Sequence, residues 1–360
     1  MIIEPDIFDD SYLPRRLLHR DAEVQQLSRQ IQPLVFDAPA HHTMISGPSG
    51  VGKTVLARHT LDRLSRASNE VRFEHLRCLG MTVPDMIAAL LEAAPGGPRE
   101  VDRDQFTTVG ELRRRLDGLL EEPMIAILDE ADGLSHTSAV EHLAGVQNLS
   151  LICICHDPDD WLSRIDRDYR SEFDGENHIR LDRYGTGELL DILWIRAKQG
   201  LPTGAISRDQ LRYIADEVAG VARYGIQTIY DAAQIATDRG HDAIQDQDIA
   251  DAFPRARRRI RKAALLSMPF HHQLLYSLIA DAGEISSGTL YDRYDDVADS
   301  CYRDRVLEPI GRRARRNKLD KLEEYGLIKS DGEDYPIWQP VDASIQPPID
   351  LQNLTNIPEI

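Results

Sequence analysis

Three observations in the 360-residue sequence predict an α/β fold built on a parallel sheet, followed by smaller helical and basic domains. Short apolar runs alternate with helical patterns through the first half. A Gly-rich loop joins the first run to the helix after it. Strand signals stop near residue 185 and amphipathic helices take over. The runs are HTMIS (42–46), VRFEH (71–75), MIAIL (124–128), LSLICIC (149–155) and NHIRL (177–181). Beyond them GELLDILWIRAKQ (187–199), SRDQLRYIADEVAG (207–220) and YGIQTIYDAAQIATDRG (224–240) read as amphipathic helices, with Ser207 as cap and Gly220 as stop. FPRARRRIRKAA (253–264) is a basic helix suited to linking domains, and residues 310–341 read as a helix followed by a short β-hairpin or wing. The last stretch, with Pro347, Pro348 and Pro358, has little apolar periodicity and is expected to be loosely ordered. The expected division is 1–184 for the nucleotide-binding α/β domain, 185–262 for the helical domain, 263–340 for the basic domain and 341–360 for a flexible tail. The chain contains no internal repeat.

Composition narrows the class. The formal charge is −18, and with six lysines among 42 basic residues the remaining 36 are arginine. That pattern fits adaptation to molar salt, where surface carboxylates are screened and keep the chain in solution. The charge is not uniform: residues 254–340 hold 16 Lys+Arg against 14 Asp+Glu, net +2, which leaves −20 elsewhere. A net-basic C-terminal segment of this kind keeps nucleic acid open as a partner. No apolar run approaches the ~20 residues that span a bilayer, and the opening MIIEPDIFDD lacks the basic and apolar regions of a signal peptide. A cytoplasmic protein with no membrane partner is expected. Cys78, Cys153, Cys155 and Cys301 match no zinc spacing and read as core thiols.

The nucleotide motif is explicit. Gly47, Pro48, Ser49, Gly50, Val51, Gly52, Lys53 and Thr54 form G-x-x-x-x-G-K-T between the strand HTMIS and a helix opening at Val55. Glycines let backbone N–H groups face phosphate oxygens, Lys53 supplies charge at the outer phosphates, and the Thr54 hydroxyl suits Mg²⁺. The strand MIAIL ends in Asp129 and Glu130, and a parallel sheet presents such strand ends to its ligand crevice. Asp129 is expected to hold the Mg²⁺ shell, and Glu130 to orient or deprotonate the attacking water. ATP or ADP with Mg²⁺ is the expected ligand.

In this order the motifs, the helical segment and the basic C-terminal domain resemble the AAA+ ATPases, and more narrowly the archaeal origin-recognition (Orc/Cdc type) replication initiators. SYLPRRLLHRDAEVQQL (11–27) is similar to the family's segment before the first strand, GVARYGIQTIYDAAQIA (220–236) to its lid helix, and PIGRRARRNKLDKLEEYGLI (309–328) to the recognition helix of its winged-helix domain. The resemblance implies that Tyr12, Leu13, Pro14 and Arg20 lie around the adenine and that Arg223, the second sensor, reaches the γ-phosphate. It also implies double-stranded origin DNA as partner, helicase recruitment, and a monomer that assembles on nucleoid DNA.

Two positions depart from the pattern. His156 stands where a sensor asparagine is usual, and Asp168 where an arginine finger would align, with Arg167 and Arg170 beside it as weak candidates. Slow hydrolysis is the expectation. On a helical wheel Arg312, Arg313 and Arg316 gather opposite Ile310, Ala314, Leu319, Leu322 and Tyr325, a cationic face for a major groove. Arg255, Arg257, Arg258, Arg259, Arg261 and Lys262 offer phosphate contacts or pairs with acidic neighbours. Arg99 and Arg103, near the Pro95–Pro98 loop, are further candidate DNA contacts. The alternatives to an initiator are a DNA-binding AAA+ regulator or mobile-element ATPase with weak or no hydrolysis, and a binding module without turnover.

Overall fold

A computed structural model describes residues 1–67, 71–101, 108–134, 137–303, 305, 307–332 and 336–351. It divides into two compact units, Met1–Ala252 and Phe253–Ile360. No helix among the described residues is long and apolar enough to cross a membrane.

The first unit is built on five strands, β1 (Thr43–Ser46), β2 (Arg72–Arg77), β3 (Met124–Asp129), β4 (Leu149–Cys155) and β5 (His178–Arg180). They pair in the order β2-β3-β4-β1-β5, every pair parallel. Helices α1 (Asp21–Ile31) and α2 (Lys53–Ala67) cover one face; α3 (Val83–Ala93), α4 (Val109–Leu119) and α5 (Ser138–Ala144) cover the other. Side-chain alternation decides which face each strand residue joins. Ile125, Ile127, Ile152 and Ile154 enter the core with Leu27 and Leu56, while Ala126, Leu128, Leu151, Cys153 and Cys155 enter the core with Leu90 and Leu116. Both faces are therefore apolar, as a parallel sheet requires. Thr82 and Thr108 cap α3 and α4 through capping boxes with Asp85 and Glu111. Arg99 is exposed between these helices, and Arg103 lies outside the described residues.

After β4 come α6 (Pro158–Arg164) and the single turn α7 (Arg167–Arg170). The helices α8 (Thr186–Gly200), α9 (Arg208–Glu217) and α10 (Ala222–Asp238) complete this unit, with α9 started by the Ser207–Gln210 capping box. Gly220, φ 80°, lies against the Tyr184 carbonyl, where a Cβ would collide.

Helix α11 (Asp246–Ser267) contains Pro254, which removes one interior hydrogen-bond donor two residues past the boundary between the units. The division thus falls within one turn of helix of the basic run that opens at Arg255, ten residues ahead of residue 262. In the second unit follow α12 (Phe270–Ala282), β6 (Ile285–Ser286), α13 (Ser287–Tyr302), α14 (Arg312–Glu324), β7 (Ile328–Asp331) and β8 (Ile337–Pro340), with an antiparallel sheet ordered β6-β8-β7. Helix, strand, two helices and a terminal antiparallel pair is the order expected of a winged helix; residues 333–335, part of the expected wing, lie outside the described residues.

The tail is corrected in part. Residues 341–350 pack on this unit: the Val341 N–H donates to the Leu327 carbonyl, Arg258 pairs with Asp342, Ile345 is buried, and the Ile349 N–H donates to Ser277 Oγ. Ile345 and these polar contacts seat it without apolar periodicity.

Candidate functional site

The phosphate loop leaves β1 near the middle of the sheet and enters α2. Gly47, Gly50 and Gly52 adopt φ of 141°, 76° and 96°, a region that strains other residues. A Cβ on Gly47 would strike the Leu181 carbonyl, and one on Gly50 would stand 2.8 Å from Val221 Cγ1 and 3.3 Å from Arg223 Cβ. The loop is thus overlaid closely by the start of α10. Pro48 and Ser49 are its exposed tip; Val51 is buried beneath it and Val55 is half-buried in α2. Lys53, 7% exposed, donates to the carbonyls of Gly47 (2.6 Å) and Pro48 (2.9 Å) and stands 3.4 Å from His156 Nδ1.

Because β4 lies between β1 and β3, the ends of those three strands bring Lys53, His156 and Asp129 to one edge of the sheet. Thr54 Oγ1 donates to Asp129 Oδ2 at 2.8 Å, and the same oxygen is 3.1 Å from His75 Nε2 on β2. The Glu130 N–H donates to Asp129 Oδ1 at 3.0 Å. Burial pushes the Asp129 carboxyl up, but the hydrogen bonds from His75, Thr54 and Glu130 outweigh it and hold it below the usual carboxylate range. Glu130, with φ 58°, is paired to Arg77 Nη2 at 3.1 Å. The His156 N–H donates to Asp132 Oδ2 at 3.4 Å.

These groups fit a nucleotide with Mg²⁺. An ionised carboxylate and a hydroxyl are the hard oxygen donors that Mg²⁺ takes, and the positive φ of Gly47, Gly50 and Gly52 gives the loop a curl that other residues would strain to adopt.

The segment proposed for the base runs from the lid helices to α2. Tyr12 donates to Gln199 Oε1 (3.3 Å) and its ring carries the Arg196 guanidinium at 4.2 Å. Leu13 is half-buried, and the Pro14 carbonyl is bonded by His59 of α2 at 3.0 Å. Arg20 is buried, stacked 4.1 Å over the Tyr184 ring and donating to the Asp182 carbonyl; its Nε has no partner among the described residues. Arg223 closes a bidentate pair with Asp10.

With this geometry in hand, the chain was compared with known proteins. The AAA ATPase domain matches residues 16–154 and the Cdc6 AAA+ ATPase-type lid domain matches residues 190–254. ORC1-type DNA replication protein 9 of Halobacterium salinarum is 30% identical over 333 residues, covering 92% of this chain and 91% of that protein. The chain belongs to the ORC1-type DNA replication proteins. Among solved structures, the Aeropyrum pernix ORC1 protein in complex with DNA superposes with TM-score 0.73 at 22% identity, covering 99% of this chain and 96% of that one. The Aeropyrum pernix ORC2 protein in its ADPNP-ADP complexes gives 0.64 at 23% identity, covering 95% of each chain. Both likenesses bear on the fold alone.

In this ORC1-type chain, α14 carries the arginines chosen for DNA. Arg312, Arg313 and Arg316 are exposed. Arg312 stands 3.8 Å from Asp292 of α13, whereas Arg313 and Arg316 make no ion pair among the described residues. Their neighbour Arg315 points inward instead, 3.9 Å over the Tyr294 ring, donating to the carbonyls of Ile310 and Tyr291 and paired with Asp295. Of the two finger candidates, Arg170 donates from Nη2 to the carbonyls of Ser163 (3.3 Å) and Ile165 (3.2 Å). Arg167 is exposed on α7 beside Asp168.

Sequence reasoning missed His75, Arg77, Asp10 and Tyr184. His75 and Arg77 lie on β2, whose register sets Arg77 opposite Asp129. That β2 neighbours β3 follows only from strand order, which no local pattern encodes.

Proposed function

We propose that this chain is an ATP-switched replication initiator: it binds double-stranded origin DNA through α14 and its wing, and its AAA ATPase domain sets the binding state by the nucleotide it holds. The observation that carries the nucleotide half is the 2.8 Å hydrogen bond from Thr54 to Asp129, which joins the two nucleotide motifs across 75 residues of sequence. Gly47 to Val55 would cradle the phosphates, with Tyr12, Leu13 and Arg20 near the base. Thr54 and Asp129 would hold Mg²⁺, which when bound neutralises phosphate charge. Lys53 and Arg223 would address the outer phosphates, and Glu130 and His156 would orient water. The working parts are 1–184 as ATPase, 185–262 as lid and 263–340 as winged helix. Helicase recruitment, cytoplasmic action on nucleoid DNA, and assembly of monomers on DNA belong to the same reading.

A second reading, an ATP-switched DNA-binding regulator with slow turnover, is favoured by one observation: Arg170, a finger candidate, is tied to backbone carbonyls. Lys53→Ala should abolish Mg²⁺-dependent ATP binding measured by calorimetry, and an unaltered affinity would defeat the nucleotide assignment. Origin occupancy separates the two readings, and a turnover assay separates both from a binding module without hydrolysis.

A further inference from the structure

Arg223 is the second residue of α10, and its N–H lies 3.4 Å from the Gly50 carbonyl of the phosphate loop. Its guanidinium is claimed by Asp10 through two contacts, Nε to Oδ1 at 3.0 Å and Nη2 to Oδ2 at 2.5 Å. Asp10 ends a strap that is fixed along α8 and α10. The Ile3 N–H donates to the Gly200 carbonyl (2.8 Å), Arg196 donates to the Ile7 carbonyl (2.8 Å), and Gln227 donates to the Phe8 carbonyl (2.7 Å). Phe8 is 2% exposed and lies against Gly200, where a Cβ would overlap its ring. Arg223 belongs to α10 and the backbone leading to Asp10 is anchored on α8 and α10, so the two residues are presented to each other by fixed backbones, although both side chains stay partly exposed. Bidentate geometry adds specificity as well as strength.

We propose that Asp10 is a positioning residue that sets the preference of this site between ATP and ADP. This rests on the reading that Arg223 addresses the terminal phosphate. A triphosphate must draw Arg223 away from Asp10, or share it with a like-charged carboxylate, whereas a diphosphate leaves the pair intact. The paired state thus reduces the apparent affinity for triphosphate by the fraction of arginine it withholds, and leaves the diphosphate unaffected. Asp10 supplies no contact to the nucleotide itself; it acts through Arg223.

The test is calorimetry on the full chain with Mg²⁺, using ADPNP and ADP as probes, for wild type, Asp10→Asn, Arg223→Ala and the double variant. Asp10→Asn should tighten ADPNP about 2- to 5-fold, the worth of roughly one such pair, and change ADP by less than about 1.5-fold. In the Arg223→Ala background the same substitution should do nothing, since a double-mutant cycle isolates the coupling. An unchanged ADPNP-to-ADP ratio in Asp10→Asn, or an equal effect with and without Arg223, overturns the proposal. If wild type and Lys53→Ala bind ADP alike, the nucleotide-site reading itself has failed; loss in Lys53→Ala with no effect of Asp10→Asn fails this inference alone.

Discussion

Asp129 accepts from Thr54 and His75 on one oxygen and from the Glu130 N–H on the other, so its orientation is fixed by three elements at once. Groups that orient a metal-binding carboxylate tune affinity by about 10–100-fold. His75→Ala should therefore raise the Mg²⁺ needed for half-maximal ATP binding about tenfold, while nucleotide binding without Mg²⁺ stays unchanged; a Mg²⁺ titration monitored by bound nucleotide reads this directly. His272 poses a different problem. It is 1% exposed in α12, neither ring nitrogen has a partner among the described residues, and Lys318 and Lys321 of α14 and the adjacent His271 face it. Burial first, then these neighbours, pushes it down to about 3. The unfolded chain takes up the proton near pH 6.5 while the folded chain refuses it. Stability is accordingly full above that pH and lost progressively as pH falls toward 3, by on the order of 5 kcal/mol in all. His272→Leu should raise Tm and flatten its dependence between pH 6.5 and 4; a profile as steep as wild type would remove His272 as the cause.

At the scale of elements, α14 separates two jobs that sequence places side by side. Its run RRARR looks uniformly cationic, yet only the turn-by-turn geometry shows Arg315 buried against Tyr294 while Arg313 and Arg316 stay in solvent. Replacing Arg313 and Arg316 together by alanine should lower the salt slope of DNA binding by about 2, one per lost phosphate contact. Arg312→Ala should weaken binding less, since Asp292 already shares that charge. Arg315→Ala should instead lower Tm by on the order of 5 °C and leave the salt slope alone. Melting curves alongside a salt series separate these outcomes. Legibility in the sequence follows the same line. All five parallel strands were visible because apolar runs bounded by turns are local signals, as were the Ser207 cap and the P-loop. Strand order was not local, so His75 and Arg77 escaped notice beside Asp129 and Glu130. The Arg223 partner lies 213 residues away, and residues 341–350, read as loose, are held by Ile345 and by hydrogen bonds no periodicity announces. The roles assigned to the P-loop, the adenine segment and the arginine face rest on motif chemistry and resemblance together.

Across the whole molecule, charge is divided as function would divide it. A chain of net charge −18 repels a polyanion at long range, but residues 254–340 are net +2 and hold Arg313 and Arg316 in solvent. In molar salt the repulsion and the phosphate attraction are both screened, so base contacts and duplex shape must supply the discrimination. Affinity for random DNA should therefore fall steeply between 0.2 and 1 M KCl while affinity for a cognate site falls less, which a competition assay with both duplexes reads out. The acidic, lysine-poor composition accords with relatives from Halobacterium salinarum. The decisive measurement is a genomic-fragment pull-down with the full chain in molar KCl and ATP, sequenced and repeated with Lys53→Ala. Enrichment of one or a few loci bearing repeated or inverted elements, altered or lost with Lys53→Ala, is the expected result. Diffuse retention, or the same loci bound equally by Lys53→Ala, would contradict an ATP-switched initiator.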